Sequence, residues 1–133
     1  MTTFFEWDQT KFGLGVAEMD REHQLIVSHM NRLHDQYVAK APYAELSRTM
    51  NALADTTVKH FAGEEAYMAR IGFPGLAGHQ MIHRTLIEKV LTHKREFERT
   101  QRLADDFFAF LKMWLKAHIC GIDVKYSVHR LAA

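Results

Sequence analysis

Apolar residues recur at a spacing of about 3.6 residues through almost the whole stretch 20–121, and only two prolines, Pro42 and Pro74, interrupt it. That period belongs to amphipathic helices, and the chain is otherwise rich in helix formers and poor in β-branched clusters. Pro42 follows Ala39-Lys40-Ala41 and Pro74 lies within Gly72-Phe73-Pro74-Gly75, both turn-like. A weaker break around Thr100-Gln101-Arg102 rests on a change of phase in the apolar pattern. The sequence therefore predicts four helices, at about 20–39, 43–70, 76–99 and 104–121. Residues 1–18, with Phe4, Phe5, Trp7, Phe12 and glycines at 13 and 15, read as an irregular aromatic arm, not a helix, that caps the rest. Four such helices joined by short loops favour an all-α fold, an up-down-up-down antiparallel four-helix bundle, with residues 1–133 forming one domain.

Composition narrows the function classes. Of 133 residues, 47% are hydrophobic and 25% charged, as in an ordinary globular protein. Seventeen Lys and Arg against sixteen Asp and Glu leave a net charge of +1, so no uncompensated cationic surface for nucleic acid is expected. The lone Cys120 excludes an internal disulfide and is expected to pack as a small hydrophobe. No apolar run reaches the roughly 18 residues of a membrane span, and the start, MTTFFEWDQT, lacks the features of a signal peptide. No membrane insertion is expected, and a cytoplasmic monomer is the default expectation.

The unusual feature is nine histidines. Several stand on inward stripes where apolar residues belong: His23 on the first helix, His60 with Glu64 on the second, His79 with His83 on the third, His118 on the fourth. The pairs His60/Glu64 and His79/His83 have i,i+4 spacing, which sets two side chains on one face about 6 Å apart. A buried unpaired charge costs several kcal/mol, so a cluster of such residues calls for an occupant. His23 lies near the start of its helix, His60 and Glu64 near the end of theirs, His79 and His83 early, and His118 late. In an antiparallel bundle all of these meet at one end and one level. His34, eleven residues past His23, lies about 16 Å further along the axis, and His93 is about 15 Å from His83. Those two, with His29 off the stripe and His129 in the tail, read as bystanders.

Imidazoles with carboxylates and no thiolate suit iron, zinc, copper or manganese better than calcium or magnesium. The count already exceeds the ligand set of one tetrahedral zinc. Asp123 offers a second carboxylate, but it stands five residues after His118, off the same face of a regular helix. It joins only if the helix widens, as in a π-bulge, or ends at Cys120-Gly121. Five His and two carboxylates then fit a dinuclear site bridged by Glu64 and Asp123.

These residues, together with Phe5-x-Trp7, Met19-Asp20-Arg21-Glu22-His23, His60-Phe61-Ala62-Gly63-Glu64-Glu65, His79-Gln80-Met81-Ile82-His83, Trp114-Leu115-Lys116-Ala117-His118-Ile119 and Tyr126, give a chain that resembles the hemerythrins over nearly its full length, and in particular the bacteriohemerythrins, their single-domain bacterial branch. The resemblance implies a non-haem di-iron site with two iron ions, joined by an oxo or hydroxo group, that binds dioxygen reversibly. By the same resemblance His79, His83 and His118 hold a coordinatively filled iron, His23 and His60 hold one with an open position, and Glu64 and Asp123 bridge. Trp114, Leu115 and Ile119, with Ile26 and Val27, are expected to wall the O2 pocket, with Leu115 nearest the gas. Asp20, Glu22, Thr56 and Thr57 are candidates to orient the imidazoles, and Tyr126 is expected to pack or hydrogen-bond.

The expected function is thus O2 transport, storage or delivery, without catalysis, with an oxygen-consuming enzyme as a candidate recipient. The alternatives are a di-iron oxidase, peroxidase or nitric-oxide-handling enzyme, an O2 or redox sensor, and an iron-storage module. An enzyme would need a proton donor or polar group at the open iron, and the expected wall offers none.

Overall fold

The computed structural model describes residues 3–132. Its elements are α1 (Gln9–Phe12), α2 (Ala17–Val38), α3 (Tyr43–Arg70), α4 (Leu76–Thr100), α5 (Asp105–His118), a π-helical turn (Ile119–Asp123) and α6 (Val124–Ala132). The four long helices α2 to α5 form the expected four-helix bundle, with Leu33, Met50, Leu53, Phe97, Phe107 and Leu111 buried among its stripes.

The breaks are local. Lys40 takes a positive φ of 57° after α2, Gly72 one of 66° after α3, and Pro42 stands in extended backbone just before α3. Gln101 ends α4 in the left-handed conformation at φ 59°, its N–H bonded to Phe97 O, so the weak phase change marks a true helix end. A non-glycine residue is disfavoured there. Gln101→Gly should therefore stabilise the fold by about 0.5 kcal/mol after glycine's greater unfolded-state entropy is subtracted, seen as a Tm raised by a few degrees in thermal melts.

Three expectations are corrected. The segment 1–18 is not wholly irregular: it contains α1, whose first turn is capped by the Asp8 side chain accepting from Thr10 N at 3.0 Å, and Ala17 and Glu18 already belong to α2. The arm is pinned, since Phe5 is 1% exposed, Phe5 N donates to Asn31 Oδ1, and Leu14 N donates to Asp20 Oδ1. The last helix does not end near 121, because the π turn leads straight into α6, which buries Tyr126 completely and bonds Ser127 Oγ to Leu14 O. The tail that holds His129 is accordingly helical, with its ring against Phe73. Cys120 is exposed and packs no core: the π turn directs Ile119 and Asp123 inward and leaves Cys120 outside.

Candidate metal centre

Seven side chains from five elements meet at one end of the bundle. His23 comes from α2, His60 and Glu64 from α3, His79 and His83 from α4, His118 from α5 and Asp123 from the end of the π turn. Each is 0–3% exposed. In a regular α-helix, positions five apart are about 140° out of phase. The wider π turn removes that offset, and Asp123 Oδ1 stands 3.0 Å from His118 Nε2. Of the two ways the sequence left open for Asp123 to join, the structure takes the widened helix.

The carboxylates stand between two sets of imidazoles. Asp123 Oδ1 lies 3.0 Å from His79 Nε2, and its Oδ2 lies 3.1 Å from His23 Nε2. Glu64 Oε1 is 3.2 Å from His83 Nε2 and 3.3 Å from His60 Nε2, while its Oε2 is 3.6 Å from His23 Nε2. The donor atoms fall into two overlapping groups, each held within 4.8 Å: Glu64, His79, His83, His118 and Asp123, and His23, His60, Glu64 and Asp123. Despite these short separations, all five Nε2 atoms, Glu64 Oε1 and both Asp123 oxygens have no hydrogen-bond partner. Eight buried, unsatisfied polar atoms would cost at least about 1–3 kcal/mol each if nothing stood among them. Their lone pairs converge instead of aligning donor to acceptor, which is the arrangement a cation satisfies. This donor set, imidazole nitrogen with bridging-type carboxylates, fits iron.

Burial opposes ionisation of Glu64, but the His60 charge and the facing His23, His60 and His83 nitrogens hold its carboxyl well below the usual range. Asp123 is likewise held low: burial and the Glu64 charge push it up, and His118, His23 and His79 outweigh them. Both carboxylates therefore stay charged and available as ligands. Burial disfavours a charged His60, yet Glu64 and Glu22 raise it to about 9, so a cation that takes its Nε2 displaces a proton there.

A second layer of contacts fixes the rings. His60 Nδ1 donates to Glu22 Oε1 at 2.6 Å and His83 Nδ1 to Glu65 Oε2 at 3.1 Å, which turns each Nε2 inward as the nitrogen that can ligate a cation. Gly63, beside Glu64, lies under the Glu22 carboxylate, where a Cβ would meet Glu22 Oε1 at 3.4 Å, an ordinary van der Waals contact. Tyr126 donates its hydroxyl to Glu64 Oε2 at 2.7 Å, and burial with the two carboxylate charges pushes its phenol up, so the donor proton is kept.

Among the sequence candidates, Glu22 reaches an imidazole and Tyr126 proves a hydrogen-bonding residue. Asp20 instead bonds Leu14 N and Gln9 Nε2, and Thr57 bonds Leu53 O in its own helix. Thr56 is half-buried. Glu65 went unread as an orienting residue. Its signal was its place one position after Glu64, which turns it about 100° round α3, towards α4. The bystander histidines stay away from the cluster: His34 stacks on Phe4 at 4.4 Å, His93 sits against Phe107 and Phe110, and His29 is half-buried. Leu115 and Ile119 are buried in the core, while Trp114 lines a groove beside His118.

Comparison with known proteins agrees with this arrangement. The family model described as Hemerythrin HHE cation binding domain matches residues 14–127. The chain is 33% identical over 123 residues to a myohemerythrin of Riftia pachyptila, covering 92% of this chain and 91% of the relative. It is 30% identical over 122 residues to a bacteriohemerythrin of Methylococcus capsulatus, covering 91% and 92%. A crystal structure of wild-type hemerythrin superposes with a TM-score of 0.87 at 29% identity, covering 97% of this chain and 98% of that one. With its bundle, its buried donor set and a family match across most of its length, the chain belongs to the hemerythrin family.

Proposed function

We propose that this chain binds O2 reversibly at a non-haem di-iron centre, serving oxygen transport, storage or delivery. The observation that carries the reading is the division of the buried donors into two groups, one with three imidazoles and one with two, that share Glu64 and Asp123. On this reading His79, His83 and His118 hold one iron, His23 and His60 the other, and the two carboxylates bridge. Two irons held so would supply one electron each to O2 and, on the two-imidazole side, a free position for it.

The residues of the chain then have separate tasks. Glu22 and Glu65 keep His60 and His83 in the tautomer whose Nε2 faces the metal. Tyr126 holds the Glu64 carboxylate in orientation by donating its proton to Oε2. Leu115 and Ile119, 1% and 0% exposed, with Ile26 and Val27 on α2, exclude water and stray protons from the centre. Among the described residues the only hydroxyl bonded to either of these carboxylates is that of Tyr126, and its proton is committed to Glu64. With that proton committed and five imidazoles to two carboxylates in the ligand set, binding is favoured over oxygen cleavage and turnover.

The working unit is read as one domain, residues 1–133, because Phe5 and Phe12 of the arm enter the same core as the bundle. No helix among the described residues is long and apolar enough to cross a membrane. We read the protein as a cytoplasmic monomer that passes O2 to an oxygen-consuming enzyme.

The test is anaerobic reduction of iron-loaded protein followed by air. A visible absorption band that appears with air and disappears under vacuum, through repeated cycles, is expected. Irreversible oxidation with release of peroxide or consumption of a substrate would replace this reading with an enzymatic one. The orienting contact has its own test. Glu22→Ala should weaken iron binding about 10–100-fold in competition with a chelator. Unchanged affinity would remove Glu22 from the site.

A further inference from the structure

A groove of about 390 Å³ runs between α4 and α5 on the outer side of the bundle. Ile82, Leu86 and Lys89 line it from α4 at i, i+4 and i+7, a stripe about 10 Å long. Phe110, Met113 and Trp114 line it from α5. Apart from Lys89 and the edge of the His118 ring, its walls are apolar, and none of its lining residues is acidic. Met113 is 69% exposed, Met81 66% and Ile82 36%, so apolar surface continues out of the groove onto the face around it. Lys89 makes no ion pair among the described residues, whose only Lys or Arg ion pair joins Arg99 to Glu96. The Trp114 ring is 5% exposed, and its Nε1–H is buried with no acceptor.

We propose that this groove binds a small amphipathic carboxylate of the medium-chain fatty acid class, its chain along the Ile82–Leu86 stripe and its carboxylate at Lys89. Size selects the occupant. The volume is at the low end for small-molecule sites, and a single turn of a partner helix, about 10 Å across, would fill it. Charge selects the headgroup, because one unpaired cation at one end of an apolar channel complements one anion on an apolar chain. Exposed methionines suit a flexible chain, since their side chains repack around varied apolar ligands. The bound chain lies against Trp114, which makes that indole the reporter of occupancy.

The experiment titrates decanoate, below its micelle concentration, into the iron-loaded protein by calorimetry, and repeats it by fluorescence in Trp7→Phe, where Trp114 is the only tryptophan left of two. One saturable site per chain is expected, with a saturable change in Trp114 emission. Lys89→Glu and Met113→Glu, both at exposed positions, should each weaken binding at least tenfold with unchanged far-UV dichroism, and decanol should bind more weakly than decanoate. A linear, non-saturating response overturns the site. Equal affinity in either variant, or for decanol, overturns the assignment of the groove or of its headgroup contact.

Discussion

Replacing Glu64 by Ala should reduce iron loading from the proposed two ions per chain to one or none, the largest effect expected from any single substitution in this protein. Glu64 stands in both donor groups, so its removal takes a ligand from each proposed iron at once, whereas loss of His79 or His60 weakens only one. The substitution also strands the Tyr126 hydroxyl, whose acceptor is Glu64 Oε2, at a position that is completely buried. A buried donor without its partner costs about 1–3 kcal/mol, so some loss of stability accompanies the loss of metal. Glu64→Gln separates the two effects, because it keeps the volume and an acceptor for Tyr126 but removes the charge proposed to bridge. It should fold with near-parental helicity and still fail to hold two irons. Metal analysis after desalting, with far-UV dichroism as the control for folding, decides the matter. Two irons retained in either variant would remove Glu64 from the bridge.

Leu115→Ala should shorten the lifetime of the oxygenated, iron-loaded protein by about tenfold, equivalent to about 1.4 kcal/mol of barrier. Leu115 is 1% exposed on α5, three residues before His118, and on the proposed reading its side chain belongs to the apolar wall that keeps water from the centre. Truncation opens a cavity and costs about 2–5 kcal/mol of stability. A faster decay could then reflect general loosening of the bundle, so Leu115→Met is the necessary companion. It conserves volume, should cost under about 1.5 kcal/mol, and should leave the lifetime close to that of the parent. Decay is followed by loss of the visible band under air at fixed temperature. An unchanged lifetime in Leu115→Ala would remove Leu115 from the wall.

Much of the fold was legible because each helix carries its own stripe. The period from Leu46 through Met50, Leu53, Thr57 and His60 to Glu64 is a local property of α3, and every one of those residues is buried. The breaks at Pro42 and Pro74 were equally local. The arm was less legible. A single capped turn such as α1 leaves no period to detect, and its docking depends on partners as distant in sequence as Asn31, bonded to Phe5, and Ser127, bonded to Leu14. The exposed Cys120 was misread for a different reason. The expectation of packing rested on the residue type, whereas two positions past His118 the thiol stands about 200° round the helix, away from the core face.

By itself, then, the sequence determined that inward histidines and Glu64 gather at one level of a four-helix bundle, because a residue's place along each helix fixes its height once neighbouring helices run antiparallel. What the tertiary structure alone decided is how those residues face one another. It converts the five-residue step from His118 to Asp123 into a shared face through a π turn, aims Glu22 and Glu65 at the far nitrogens of His60 and His83, and brings Tyr126 from α6 onto Glu64, 62 residues away. The physical reason is range. Helical period and axial rise act over a few residues and survive in a one-dimensional string, while hydrogen-bond direction and the pitch of a single turn depend on packing between segments that the string keeps apart.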